Sequence, residues 1–349
     1  MKWRFCRPKL ADVKNFFTPH PDTLPVEGVH PVFHEKWIET GYRVPYRPWS
    51  YYLGSLVTFH VETFNIWTHL IGALIVAYHA YGYATTTTDT GCTLFMVSGF
   101  CGVYAHLASV GAHWFCSKSP TVYKRVFLFD YGGVSVYNFS CHVLMFYTTY
   151  DSRFVQFWGA YAIPFVVILN ASVCFLLSYG ASFTTRSIIV KNVVNVLSIG
   201  TTVSIGCAAM QMRAWHRLAT RDCQDCDLEE HILFLILLHG VVAVLSAVSF
   251  IALMPERCSR RTFDILGQSH QIFHICVTLQ TLLTMRIGYL DIKLGYRTHE
   301  EVDTLNAFGS VWWAVLAMFL LSWLFTACFM PYVYVRVSRD KGNGSLKMK

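Results

Sequence analysis

Eight apolar runs, at about 65–84, 92–114, 126–149, 155–178, 189–212, 231–253, 266–289 and 308–334, leave this 349-residue chain few ways to fold. Each run is close to the ~20 residues that cross a hydrocarbon core of about 30 Å. A segment in lipid must satisfy its own backbone polar groups, so each run reads as a helix. Composition agrees, with 54% of residues hydrophobic and only 14% charged, a balance foreign to soluble domains. The expected fold class is all-α, a polytopic membrane helix bundle. The run at 189–212 is the weakest, because Asn192, Asn195 and several Ser and Thr dilute it.

Basic residues set the orientation. Of the 28 Lys and Arg, 21 fall on the side of the two termini and 6 on the other, with Arg286 inside a span. Both termini are therefore expected in the cytosol. The net charge of +7 is scattered between the apolar runs rather than gathered in a patch, so no nucleic-acid partner is expected. The first sixty residues are polar and punctuated by proline, with no apolar stretch of a cleavable signal. Within them Val32 to Arg43 is too short to bury a core of its own and is expected to pack on the membrane face of the bundle. The division expected is a cytosolic segment (1–63), a seven-helix core (64–290), an external loop with an eighth helix (291–335) and a basic cytosolic tail (336–349). Most of the twelve cysteines lie in apolar runs and imply no disulfide framework. The C-Q-D-C run at Cys223 and Cys226, placed in an external loop, is too weak alone to argue a bridge or a metal clip.

Polar residues inside such a bundle are functional candidates. The octad G-Q-S-H-Q-I-F-H (Gly267 to His274) sets two imidazoles one helical turn apart. Such a pair either closes on one zinc ion, at about 2.0–2.1 Å from each nitrogen, or bonds to neighbouring backbone. Gln271 removes the metalloprotease reading, which needs a Glu directly after the first His. Helix direction then brings other residues to the same depth beneath the cytosolic face. His113 lies near the inner end of the second run, Asp130 in the first turn or two of the third, and His270 and His274 in the opening turns of the seventh. Three imidazoles and a carboxylate match a catalytic-type zinc site with a fourth position for water. Ser109, one turn before His113, either faces that water or bonds back to its own helix. Asn65, His69, His106, Asn138, His142, Asn170 and His239 read as interhelical hydrogen-bonding groups and are not assigned to the metal.

Three stretches together, H-V-E-T-F-N-I-W-T-H-L (60–70), S-x-x-x-H followed by S-K-S and F-D-Y-G-G-V-S-V-Y (109–137), and G-Q-S-H-Q-I-F-H (267–274), resemble the progestin and adipoQ receptor family. The S-K-S, the D-Y-x-G-V-S-V-Y run and the eighth span are similar to its membrane progestin receptor branch, nearer the alpha and beta members than the adiponectin receptors. The resemblance implies a seven-helix zinc-containing core with an added carboxyl-terminal helix. It implies His113, His270 and His274 as Zn2+ ligands, with Asp130 and Ser109 beside the water. It further implies a receptor for a progestin-type steroid or other lipid, in the plasma membrane and also endomembranes, signalling rapidly without the nucleus through a heterotrimeric G protein. The wider superfamily includes ceramide hydrolases, so a zinc-dependent lipid amide hydrolase using Asp130 and Ser109 stands as the alternative.

Orientation is tested at Asn343, in the tail sequon N-G-S, which is modified only if the tail reaches the lumen. The expected outcome is no glycosidase-sensitive mass shift. A shift abolished by Asn343→Gln would place the tail outside.

Overall fold

The computed structural model describes residues 17–87, 89–150, 152–183, 207–219, 225–295 and 308–346. Among these residues it is all-helical, apart from one isolated bridge between Leu24 and Tyr42. A short helix α1 (Trp49–Gly54) precedes the long ones: α2 (Thr63–Ala84), α3 (Asp89–Phe115), α4 (Pro120–Thr148) and α5 (Ser152–Phe183). Residues 207–219 form α6. The chain continues through α7 (Cys226–Ala252), α8 (Ser269–Lys293) and α9 (Phe308–Leu346).

Helices α3, α5, α7, α8 and α9 each hold a stretch long and apolar enough to cross a membrane by length and composition. The protein is a multi-pass membrane protein. Helices α2 and α4 are as long but carry the polar residues of the interior, Asn65 and His69 in one, Asp130, Asn138 and His142 in the other. The fifth expected run lies mostly outside the described residues, so the described helices do not fix the number of crossings at eight.

Two helix starts matter for function. Ser119 caps α4, its side chain accepting from Val122 N at 3.2 Å, and Pro120 takes the first helical position. The helix thus starts before residue 126, and Asp130 stands ten residues inside it, not in the first turn or two as expected. Helix α8 is capped by Glu256, which accepts from Ser269 N at 2.8 Å and from the Ser269 hydroxyl. Gln271 closes the preceding turn, accepting from Gly267 N and donating to Ile265 O, both at 2.8 Å.

Two glycines let the helices approach. A Cβ at Gly72 would stand 2.8 Å from Thr278 Oγ1 and 2.9 Å from His106 Cε1, so α2, α3 and α8 meet there. One at Gly133 would stand 3.1 Å from Ala105 Cα and from Ala108 Cβ, bringing α4 against α3 one turn from Asp130.

The N-terminal segment packs where expected, under one end of the bundle. Val29, Phe33, Ile38, Tyr42 and Val61 form a small buried cluster that Tyr123 of α4 completes. Buried Arg43 donates to the carbonyls of His113 (2.7 Å) and Trp114 (2.6 Å) and to Ser55 Oγ (2.9 Å). It thereby satisfies orphan carbonyls at the α3 C-terminus, where a cation also complements the helix dipole. Cys226, at the other end of the bundle, is disulfide-bonded. The C-Q-D-C run therefore carries a bridge that its spacing was too weak to argue; Cys223 lies outside the described residues. Cys116, at the opposite end, is a free thiol.

Arg43→Met should lower unfolding stability by on the order of 3 kcal/mol, since charged hydrogen bonds contribute about 1.5–3 kcal/mol each and buried carbonyls are left bare. Arg47→Met, at an exposed position, should change little. Thermal unfolding of both variants in detergent checks the difference.

Candidate metal centre

Four elements converge at the end of the bundle covered by the N-terminal segment: the starts of α2 and α8, the end of α3 and the inner part of α4. Five imidazoles gather there. Helix α3 supplies His106 and His113, α8 supplies His270 and His274, and α2 supplies His69. All are buried except His270, which is partly exposed.

His113 lies with its ring centroid 5.3 Å from that of His270 and 5.1 Å from that of His274. The Nε2 atoms of His270 and His274 stand 3.1 Å apart. The three residues expected as ligands are thus brought together. His69, read from sequence as a hydrogen-bonding group, joins them: one nitrogen from each of His69, His113 and His274 lies within 4.8 Å of the others. His69 is also anchored to α3, its Nδ1 lying 2.9 Å from His106 Nδ1.

The arrangement fits a metal ion. Two nitrogens held at about 2.0–2.1 Å on a tetrahedral ion stand about 3.3 Å from each other, close to the His270–His274 separation. The donors are imidazoles, suited to zinc among other transition metals. These residues form a histidine cluster able to hold a metal.

Carboxylates lie on either side. The Ser109 hydroxyl donates to Asp130, a partner that neither sequence alternative named, and the serine proton is committed to the carboxylate. Glu62, immediately before α2, accepts from His113 Nδ1 at 2.8 Å and from Asn65 Nδ2 at 2.7 Å. Burial alone would raise the Glu62 carboxyl, but the bonds from His113 and Asn65, with Arg43 nearby, hold it at about 2. Thr68 Oγ1 lies 3.2 Å from His274 Nδ1.

Other interior polar groups pair between helices. Asn170 Nδ2 meets His142 Nδ1 at 3.4 Å, and Thr284 Oγ1 meets His239 Nε2 at 3.3 Å. Asn138 Nδ2 is buried with no hydrogen-bond partner.

Sequence reasoning missed Glu62 and Thr68. Glu62 falls just outside the apolar run, in the segment expected to be cytosolic, and Thr68 lies inside that run, where a threonine carries no distinguishing signal. The available signal was the spacing E-x-x-N-x-x-T-H from Glu62 to His69, which repeats along one helical face.

Fold and site together define a polytopic helical membrane protein with a buried histidine cluster at one end. Residues 57–285, more than half of the chain, match the family described as Haemolysin-III related. The chain belongs to that family and, within it, to the progestin and adipoQ receptors. It is 28% identical over 318 residues to human membrane progestin receptor beta, covering 86% of this chain and 84% of the relative. Identity to membrane progestin receptor alpha of Cynoscion nebulosus is 27% over 323 residues, covering 90% and 87%. Human membrane progestin receptor gamma is 27% identical over 311 residues, covering 86% and 91%.

Proposed function

We propose that this protein is a receptor for progestin-type steroids in the plasma membrane, signalling without the nucleus through a partner such as a heterotrimeric G protein. The observation that carries the reading is similarity along most of the chain to three proteins named membrane progestin receptors. Both termini are cytosolic, α9 is the added helix after the seven-helix core, and the histidine cluster lies near the cytosolic face. Zinc is held there by His113, His270 and His274, joining α3 to α8. Those two helices form opposite sides of the cluster, so a shared ion fixes their relative position.

The Asp130–Ser109 pair favours a second reading, a lipid amide hydrolase of the ceramidase type. A purely structural zinc usually has four protein ligands, and this assignment uses three. Zinc, when bound, supplies a Lewis acid. Asp130 would take a proton from attacking water, and Ser109, donating to Asp130, holds that carboxylate in place.

Zinc content, progesterone binding and ceramide hydrolysis measured on one purified sample separate the readings. His270→Ala should lose most of its zinc; unchanged zinc would remove the proposed ligand set. Asp130→Ala should keep zinc, with affinity lowered by about 10–100-fold at most, and should keep steroid binding at saturating zinc. Ceramide turnover by the parent that falls about 10²–10⁴-fold in Asp130→Ala would make the hydrolase the correct reading.

A further inference from the structure

The proposed zinc ligands lie on α3 and α8, yet residues at the start of α2, Glu62 just before it and Thr68 within it, touch two of the three ligand rings. The direction of those hydrogen bonds determines which ring nitrogens are left free. At His113 the partner is the Glu62 carboxylate, an acceptor only, 2.8 Å from Nδ1. In the neutral ring, the form that binds a metal, the proton then sits on Nδ1 and Nε2 keeps a bare lone pair. Asn65, one turn along the same face, holds the same carboxylate oxygen at 2.7 Å and so keeps Glu62 aimed at the ring.

At His274 the partner is the Thr68 hydroxyl, which has one proton. That proton goes back along the helix to the Phe64 carbonyl at 2.7 Å, shared with Asn65 O at 3.1 Å. The oxygen facing His274 Nδ1 at 3.2 Å is thus an acceptor, and His274 also carries its proton on Nδ1. Its free Nε2 is the atom that stands 3.1 Å from His270 Nε2.

We propose that Glu62 and Thr68 are positioning residues for the metal, fixing the tautomers of His113 and His274 so that both present Nε2 to a common point. This rests on the zinc assignment above and adds that the E-x-x-N-x-x-T stretch is the outer support of that centre. Residues that orient ligating histidines commonly alter metal affinity strongly without themselves binding the ion. The two residues act on rings from different helices, so α2 aligns α3 with α8. Both rings lose their anchors if α2 shifts.

The test uses the full chain, purified in detergent, stripped with a chelator and titrated with Zn2+ alone, with Co2+ as a spectroscopic stand-in. Thr68→Val keeps the side-chain shape but removes the hydroxyl, and should bind zinc about 10–100-fold more weakly. Thr68→Ser restores the acceptor and should return to parental affinity. Glu62→Gln keeps an acceptor oxygen without the charge, and should show weaker zinc binding and a changed Co2+ visible spectrum. Circular dichroism of the metal-free proteins should coincide. Parental zinc affinity and Co2+ spectrum in Thr68→Val and Glu62→Gln, alongside lost binding in His270→Ala, would overturn the positioning role and leave the zinc assignment intact. Equal weakening in Thr68→Ser and Thr68→Val would also overturn it, because the hydroxyl would not be the acting group. A parent that takes up no zinc would overturn both. If Glu62→Gln does not fold, the Thr68 pair decides alone.

Discussion

The hydrogen bond between His113 and Glu62 holds together the part of the molecule on which the rest depends. Imidazole and carboxylate inside an apolar bundle are tolerated only where their atoms find partners. Here the end of α3 meets the start of α2 through that bond, and Asn65 bonds the same carboxylate oxygen. The His113 backbone is held as well, because Arg43 covers its carbonyl from the N-terminal segment. Removing His113 would leave the buried Glu62 carboxylate short of a donor, a costly state for a buried charge.

The N-terminal segment is accordingly part of the site and not an appendage. Asp264, in the turn before α8, accepts from Thr40 N at 2.7 Å, Thr40 Oγ1 at 2.6 Å and Glu39 N at 3.3 Å. Burial raises the Asp264 carboxyl above its usual range, while the Thr40 and Glu39 bonds oppose the rise. Gln268 bridges Val61 O and Asp264 O. The segment that carries Arg43 to α3 is therefore also fastened to the turn that positions His270 and His274. The exposed pairs of Arg260 and Arg261 with Glu39 add little by comparison.

A second polar centre ties the opposite end. Arg213 of α6 bonds Glu229 of α7 at 2.9 Å and Asp291 of α8 at 3.2 Å, all three buried. Such a triad is weak evidence for stability, since apolar residues can pack as well. Its geometry nonetheless links α6 and α7 to α8. Helix α8 is thus held at its start by Glu256 and the N-terminal segment, and near its end by Arg213. Its histidines cannot slide relative to α3 without disturbing one of these attachments.

Hydrophobic length and the positions of Lys and Arg determined, from sequence alone, that this is a helical multi-pass protein, and they gave His113, Asp130, His270 and His274 a common depth. That much is legible because lipid thickness fixes helix length and because i, i+4 spacing fixes a shared face. The capped start at Ser119–Pro120 was legible too, yet hydropathy passed over it, because a polar first turn dilutes an apolar window. What only the tertiary structure decided is which neighbours the rings have. His69 could pair anywhere until Gly72 brought α2 against α3 and α8, and Thr68 could be a plain membrane hydroxyl until His274 lay beside it. Glu62 lies outside every apolar run, so its bond to a ring on another helix followed from packing that no local pattern encodes. Depth is a one-dimensional property of the chain, whereas the rotation of each helix about its own axis is set by the neighbours it packs against.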